Sequence, residues 1–173
     1  WGRRAPGDEE IPEVPEGYTA RDVYARIVQK KLGEEYEQDF SGYSTAQTLD
    51  SIEYFVFPNF FIFPGLSLPM AYRFRPDPED PDYSFFDLYF LRPSHPEKAP
   101  PPPPDPLILD VDDSYTQAEG LGFLGAVYDQ DTSNMAAQTR GFKACARGSQ
   151  TLGNYQECRI RHLHKRVNDY VQS

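Results

Sequence analysis

The chain is poor in the residues that build covalent or metal-bound frameworks, with two cysteines, three histidines and one tryptophan in 173 residues. Cys145 and Cys158 are too few for a disulfide scaffold and lack zinc-type spacing. Both fall in helix-like segments, where buried or half-buried thiols are expected. Positive charge is short as well: 17 Lys and Arg stand against 27 Asp and Glu, for a net charge of −10 and a pI near 4.7. That balance argues against a nucleic-acid partner and against attraction to an anionic membrane surface. No apolar run reaches membrane-spanning length without a polar residue or a Pro-Gly break, and the first residues lack the charged-then-apolar pattern of a signal peptide. The expectation is a cytoplasmic protein with neither a nucleic-acid nor a membrane partner, forming a single domain or part of one over residues 1–173.

What the chain does have is aromatic residues, concentrated in DSIEYFVFPNFFIFP from Asp50 to Pro64. Aromatic and β-branched residues on both alternation sets, closed by Pro64-Gly65, predict a central, largely buried strand with both faces covered. Pro58 cannot donate to a ladder, so a bulge or free edge is expected there, with Asn59 irregular. Leu68, Met70, Tyr72 and Phe74 then alternate with Pro69, Ala71, Arg73 and Arg75, and predict a half-buried strand. Tyr83 to Leu91 reads as a third, and the three as an antiparallel meander. Arg73 and Arg75 are read as solvated charges of a strand face, without a function.

Around the sheet, residues 1–17 are proline-rich and charged and read as an irregular lead-in. Thr19 with Asp22 predicts a capped helix running to about Phe40, its apolar positions Val23, Ile27, Val28, Leu32 and Tyr36. Residues 93–106 form a proline-rich loop in which five consecutive prolines from Pro100 favour extended polyproline geometry, read as a stiff connector. Helical character returns from Ser114 to Asp129 despite Gly120, Gly122 and Gly125, whose lack of side chain permits close packing. It continues from Asp131 to Lys143 and breaks over Gly148–Gly153. Asn154 with Glu157 predicts the cap of a last helix, whose stripe of Ile160, Leu163, Val167, Tyr170 and Val171 should pack across the sheet. His164 reads as a core or helix-face residue, because no second ligand stands at i+4.

Three segments in order, LDSIEYFVFPNFFIFP, GAVYDQDTSNMAAQTRGFKA and GNYQECRIRHLHKRVNDYV, resemble the C-terminal part of the catalytic domain of the large subunit of Rieske non-haem iron ring-hydroxylating oxygenases. The resemblance implies an α+β fold of helix-grip type, an antiparallel sheet wrapped around a long C-terminal helix, present here in part. It implies a mononuclear non-haem Fe(II) held by two histidines and a carboxylate. Asp131 matches the carboxylate position, with Asp129 as the fallback. From the residues alone, an aspartate beside Thr132 and Ser133 at a helix start is an N-cap; the resemblance makes Asp131 the iron ligand. The family's histidine pair and its Rieske [2Fe-2S] cluster have no counterpart in His95, His162, His164 or the two cysteines. The chain is therefore expected to be the C-terminal piece of a longer mono- or dioxygenase, inactive alone, with a sheet edge that needs a neighbour.

Phe55, Phe57, Asn59 and Phe61 are the candidate lining of an apolar substrate pocket. The implied partners are O2, an apolar or aromatic small molecule, a ferredoxin or reductase as electron donor, and further subunits in a homotrimer or α-β hetero-oligomer. The rival expectation is a metal-free helix-grip module that binds an apolar small molecule without chemistry.

Overall fold

The structure, a computed structural model, describes residues 12–173. The part of the irregular lead-in before residue 12 lies outside the described residues, and 12–17 carry no helix or strand. The chain divides into two compact units, one within Glu9–Pro102 and one over Pro103–Ser173.

In the first unit the Thr19 signal acts as predicted. Helix α1, Ala20–Tyr36, opens with a reciprocal capping box. The Asp22 N–H donates to the Thr19 hydroxyl at 3.2 Å, and the Thr19 N–H donates to the Asp22 carboxylate at 3.0 Å. The helix stops short of Phe40 because Glu37 takes the left-handed conformation at φ 53°, its N–H satisfied by the Gly33 carbonyl. A short helix α2, Thr45–Leu49, is capped in the same reciprocal way by Ser44 and Gln47. Fully buried Thr48 joins the two helices, accepting from the Gln29 amide at 2.9 Å and donating to the Ser44 carbonyl at 2.9 Å.

The aromatic run is not one strand. It folds back on itself as an antiparallel hairpin of β1, Tyr54–Val56, and β2, Phe60–Phe63, with Val56 opposite Phe60. Pro58 has no N–H to give a ladder, and the chain reverses at that point instead of bulging. Strands β3, Met70–Pro76, and β4, Ser84–Phe90, complete a four-stranded antiparallel meander in the order β1-β2-β3-β4. The expected central, buried strand is corrected accordingly: β1 is a sheet edge with all three residues exposed, and β2 is half-buried. Asn59 lies in the turn outside β2, irregular as expected. Its side-chain amide donates to the Phe74 carbonyl at 2.5 Å and its carbonyl accepts the Phe74 N–H at 3.1 Å, which ties the turn to β3.

Register sorts the side chains into two faces. One carries Phe55, Phe61, Phe63, Tyr72, Phe74 and Phe86 in an unbroken series of ring contacts. Phe61 lies 4.9 Å from Phe55 and 5.0 Å from Tyr72, and Phe74 stacks on Phe86 at 4.7 Å. The other carries Arg73 and Arg75, which are paired and not merely solvated. Both guanidiniums donate to Asp87, at 3.0 and 2.7 Å from their Nε atoms, and Arg73 also reaches the Tyr89 hydroxyl at 3.2 Å.

In the second unit, the glycines break the expected Ser114–Asp129 helix into two 3-10 turns, Tyr115–Gln117 and Glu119–Leu121, before α3, Leu124–Thr132. Gly122, at φ 52° and ψ −129°, occupies backbone space open to glycine. Gly125 serves the close approach expected of it: a Cβ there would stand 3.0 Å from the Tyr115 carbonyl oxygen. Helix α4, Met135–Ala144, follows after a two-residue interruption, and α5, Cys158–Val171, begins later than the Asn154 signal implied. Asn154 is not its cap. The Glu157 carboxylate accepts the Gly153 N–H, and Arg161 donates to the carbonyls of Gly153 and Asn154. Within this unit the α5 stripe is open, with Ile160, Val167, Tyr170 and Val171 all exposed. Cys145 and Cys158 are exposed free thiols, contrary to the expected burial, because each sits at a helix end facing solvent.

Candidate functional site

Two aspartates a half-turn apart on α3 have different surroundings. Asp129 is half-buried, and both of its oxygens are used: Oδ2 accepts from the Ser114 hydroxyl at 2.6 Å and Oδ1 from the Tyr115 N–H at 2.8 Å. It clamps the first 3-10 turn onto α3. The Tyr115 ring packs on Tyr128 at 5.7 Å, and the Thr132 hydroxyl donates to the Tyr128 carbonyl at 2.7 Å. Burial pushes the Tyr115 hydroxyl above its ordinary pKa; a hydrogen bond with Thr132 opposes this, and the nearby Asp129 charge adds to it.

Asp131 lies on the last turn of α3 and is exposed, with no hydrogen bond or ion pair to its carboxylate among the described residues. It is not an N-cap, since the helix began at Leu124 and ends at Thr132. Ser114, Tyr115 and Thr132 were not singled out by the sequence. Ser114 carries the one available signal, a hydroxyl residue opening a turn, where it accepts the Thr116 N–H at 3.1 Å.

Of the four candidate pocket residues, the fold joins Phe55 and Phe61 on the aromatic face of the sheet. Phe57 lies half-buried in the hairpin turn, and the Asn59 amide is committed to the Phe74 carbonyl. The sequence missed Tyr72, Phe74 and Phe86 as members of the same face. Tyr72 adds a polar rim, its hydroxyl donating to the Glu53 carboxylate. Among the described residues, no group of three or more His, Cys, Asp or Glu is placed to hold a metal ion, and no helix is long and apolar enough to cross a membrane.

An antiparallel four-stranded sheet together with α-helices makes this an α+β protein. Residues 16–173 match the family model described as ring hydroxylating alpha subunit (catalytic domain), and the chain belongs to that family. The match runs through both compact units. Membership gives the chain an oxygenase role in general. No curated protein and no solved structure matches the chain.

Proposed function

We propose that this chain is the C-terminal portion of the catalytic domain of a Rieske-type oxygenase that inserts oxygen from O2 into an organic, aromatic substrate, with Asp131 as the carboxylate ligand of a mononuclear non-haem Fe(II). The observation that carries the choice of Asp131 is its contrast with Asp129. Both Asp129 oxygens are spent on Ser114 and Tyr115, whereas Asp131 offers two unengaged oxygens on an exposed helical turn. The described residues do not by themselves fit an iron, because no group of three or more His, Cys, Asp or Glu among them is placed to hold a metal ion. On this reading the two histidines and the Rieske [2Fe-2S] cluster belong to residues outside this chain. No step of the reaction is assigned to an iron held by these residues alone, and the chain by itself is inactive.

What the chain contributes is positional. The Asp129 clamp fixes α3, and thereby the direction in which Asp131 presents its charge. The Phe55, Phe61 and Tyr72 face supplies an apolar wall from which water is readily displaced by an aromatic substrate. A ferredoxin or reductase supplies electrons, and the working assembly is a cytoplasmic homotrimer or α-β hetero-oligomer.

The test is Asp131→Ala in the complete enzyme, with iron content, turnover and unfolding midpoint measured together. Loss of iron and turnover with an unchanged midpoint supports the assignment. A variant with full iron and full turnover refutes it.

A further inference from the structure

The five consecutive prolines of residues 100–104 are set in conformation by their own covalent structure. Each ring holds φ at about −65°, and each residue before a proline is steered to extended ψ, which covers Ala99 and the first four of the five. Such a run is a left-handed polyproline helix of about three residues per turn. Pro101 and Pro104 then lie along one edge, and Pro100 and Pro103 along the next. Residues 96–108 are all exposed, and residues 99–110 carry no helix or strand. The prolines thus present an apolar ridge to water.

A spacer needs only stiffness, and the flanks of this run add chemistry that stiffness does not require. Lys98 stands three positions before Pro101, and Pro101 three before Pro104, so one cation and two prolines share a threefold spacing. The other end carries Asp105, and no Lys or Arg follows before Arg140, which gives the run a single polarity. Neither neighbour is aromatic, since Ala99 precedes the prolines and Asp105 follows them. Lys98 donates to the Glu37 carboxylate, but the two side chains are 59 and 70 % exposed, and a pair so well solvated is readily exchanged for another carboxylate. A ridge already in its bound shape also loses little conformational freedom on docking.

We infer that residues 98–104 are a docking segment for a protein domain with paired aromatic-lined grooves beside an acidic pocket, the surface that SH3 domains present. The two proline edges fill the grooves and Lys98 enters the acidic pocket. Its place before the prolines fixes the direction in which the segment lies on the partner. The lack of an aromatic neighbour argues against the proline-reading domains that select one. The segment is one continuous stretch of chain and includes no residue assigned to iron or substrate, so it stands or falls independently of the oxygenase reading.

The experiment titrates the full chain into a panel of isotopically labelled SH3 domains that select a basic residue before their two prolines, with a WW domain as comparator, read by two-dimensional NMR. The label sits on the partner because the proline run has no N–H of its own. The expected result is a saturable shift confined to the aromatic grooves of at least one SH3 domain. Affinity should fall roughly tenfold in the double variant Pro101→Ala, Pro104→Ala and roughly fivefold in Lys98→Ala. All three positions are exposed, so both variants should keep the parent's urea midpoint. The inference is overturned by the absence of a saturable shift in every SH3 domain, by equal binding to the WW domain, or by unchanged affinity in either variant.

Discussion

Replacing Asp129 by Ala removes the acceptor of the Ser114 hydroxyl and of the Tyr115 N–H at once, in a half-buried place. Two charge-assisted bonds are lost, and a loss of about 2 kcal/mol is expected in urea unfolding. Asp131→Ala touches no intramolecular partner and should stay within about 0.5 kcal/mol of the parent. The pair thus separates by stability a carboxylate that holds the fold from one that does not. Asp87 gives a second test. Hydrogen bonds from Arg75, with those from Arg73, hold its carboxyl below the ordinary pKa despite partial burial. A depressed folded-state pKa stabilises above the unfolded value, and that contribution is lost as pH falls through the folded one. Asp87→Asn should therefore flatten the acid end of the stability curve. Because both arginines are about two-fifths exposed, the effect at neutral pH should be about 1 kcal/mol or less and should shrink in high salt. The proposal of Asp131 rests on resemblance, since nothing in the string Asp-Thr-Ser distinguishes a ligand from a cap. Its neighbour's commitment to Ser114, fifteen positions away, is a tertiary fact that no local pattern contains.

Among the elements, α1 was the most legible, because Thr19 and Asp22 act over a single turn and their reciprocal bonds are dictated by spacing. Thr19→Ala should cost about 1 kcal/mol, seen as a lowered urea midpoint. The β1–β2 hairpin was the least legible. It has no glycine in its turn, and an unbroken aromatic run is equally compatible with one long buried strand or two short ones. Only Pro58 marked the place, and its missing N–H decided for reversal. The aromatic face built by that reversal centres on Phe61, whose ring touches Phe55, Tyr72 and Phe74. Phe61→Ala should destabilise by about 2 kcal/mol, less than a fully buried phenylalanine because Phe61 is half-buried. Calorimetry would report the loss as a lowered melting temperature. The start of α5 was misplaced because Glu157 satisfies a backbone group by reaching back to Gly153, a contact that mimics a cap in sequence but sits one turn earlier.

At the scale of the whole molecule, family membership spans residues 16–173 and therefore includes the proline-rich loop between the compact units. Composition alone predicted that loop, since a run of prolines has neither donors nor freedom for a helix or a sheet. What composition did not announce is the stretch just beyond it. Leu107, Ile108 and Val111 are 61, 78 and 84 % exposed in a segment without helix or strand. Proteases need several residues of extended, accessible chain, and an exposed loop offers it. The five prolines immediately before are poor substrates for most endopeptidases, so the protected and the vulnerable stretches lie side by side. A protease that selects large aliphatic residues, applied briefly to the native protein, should make its first cut between Leu107 and Val111. The two products would then divide the chain close to the boundary of its compact units, turning a few oily side chains after a proline run into a natural scission point.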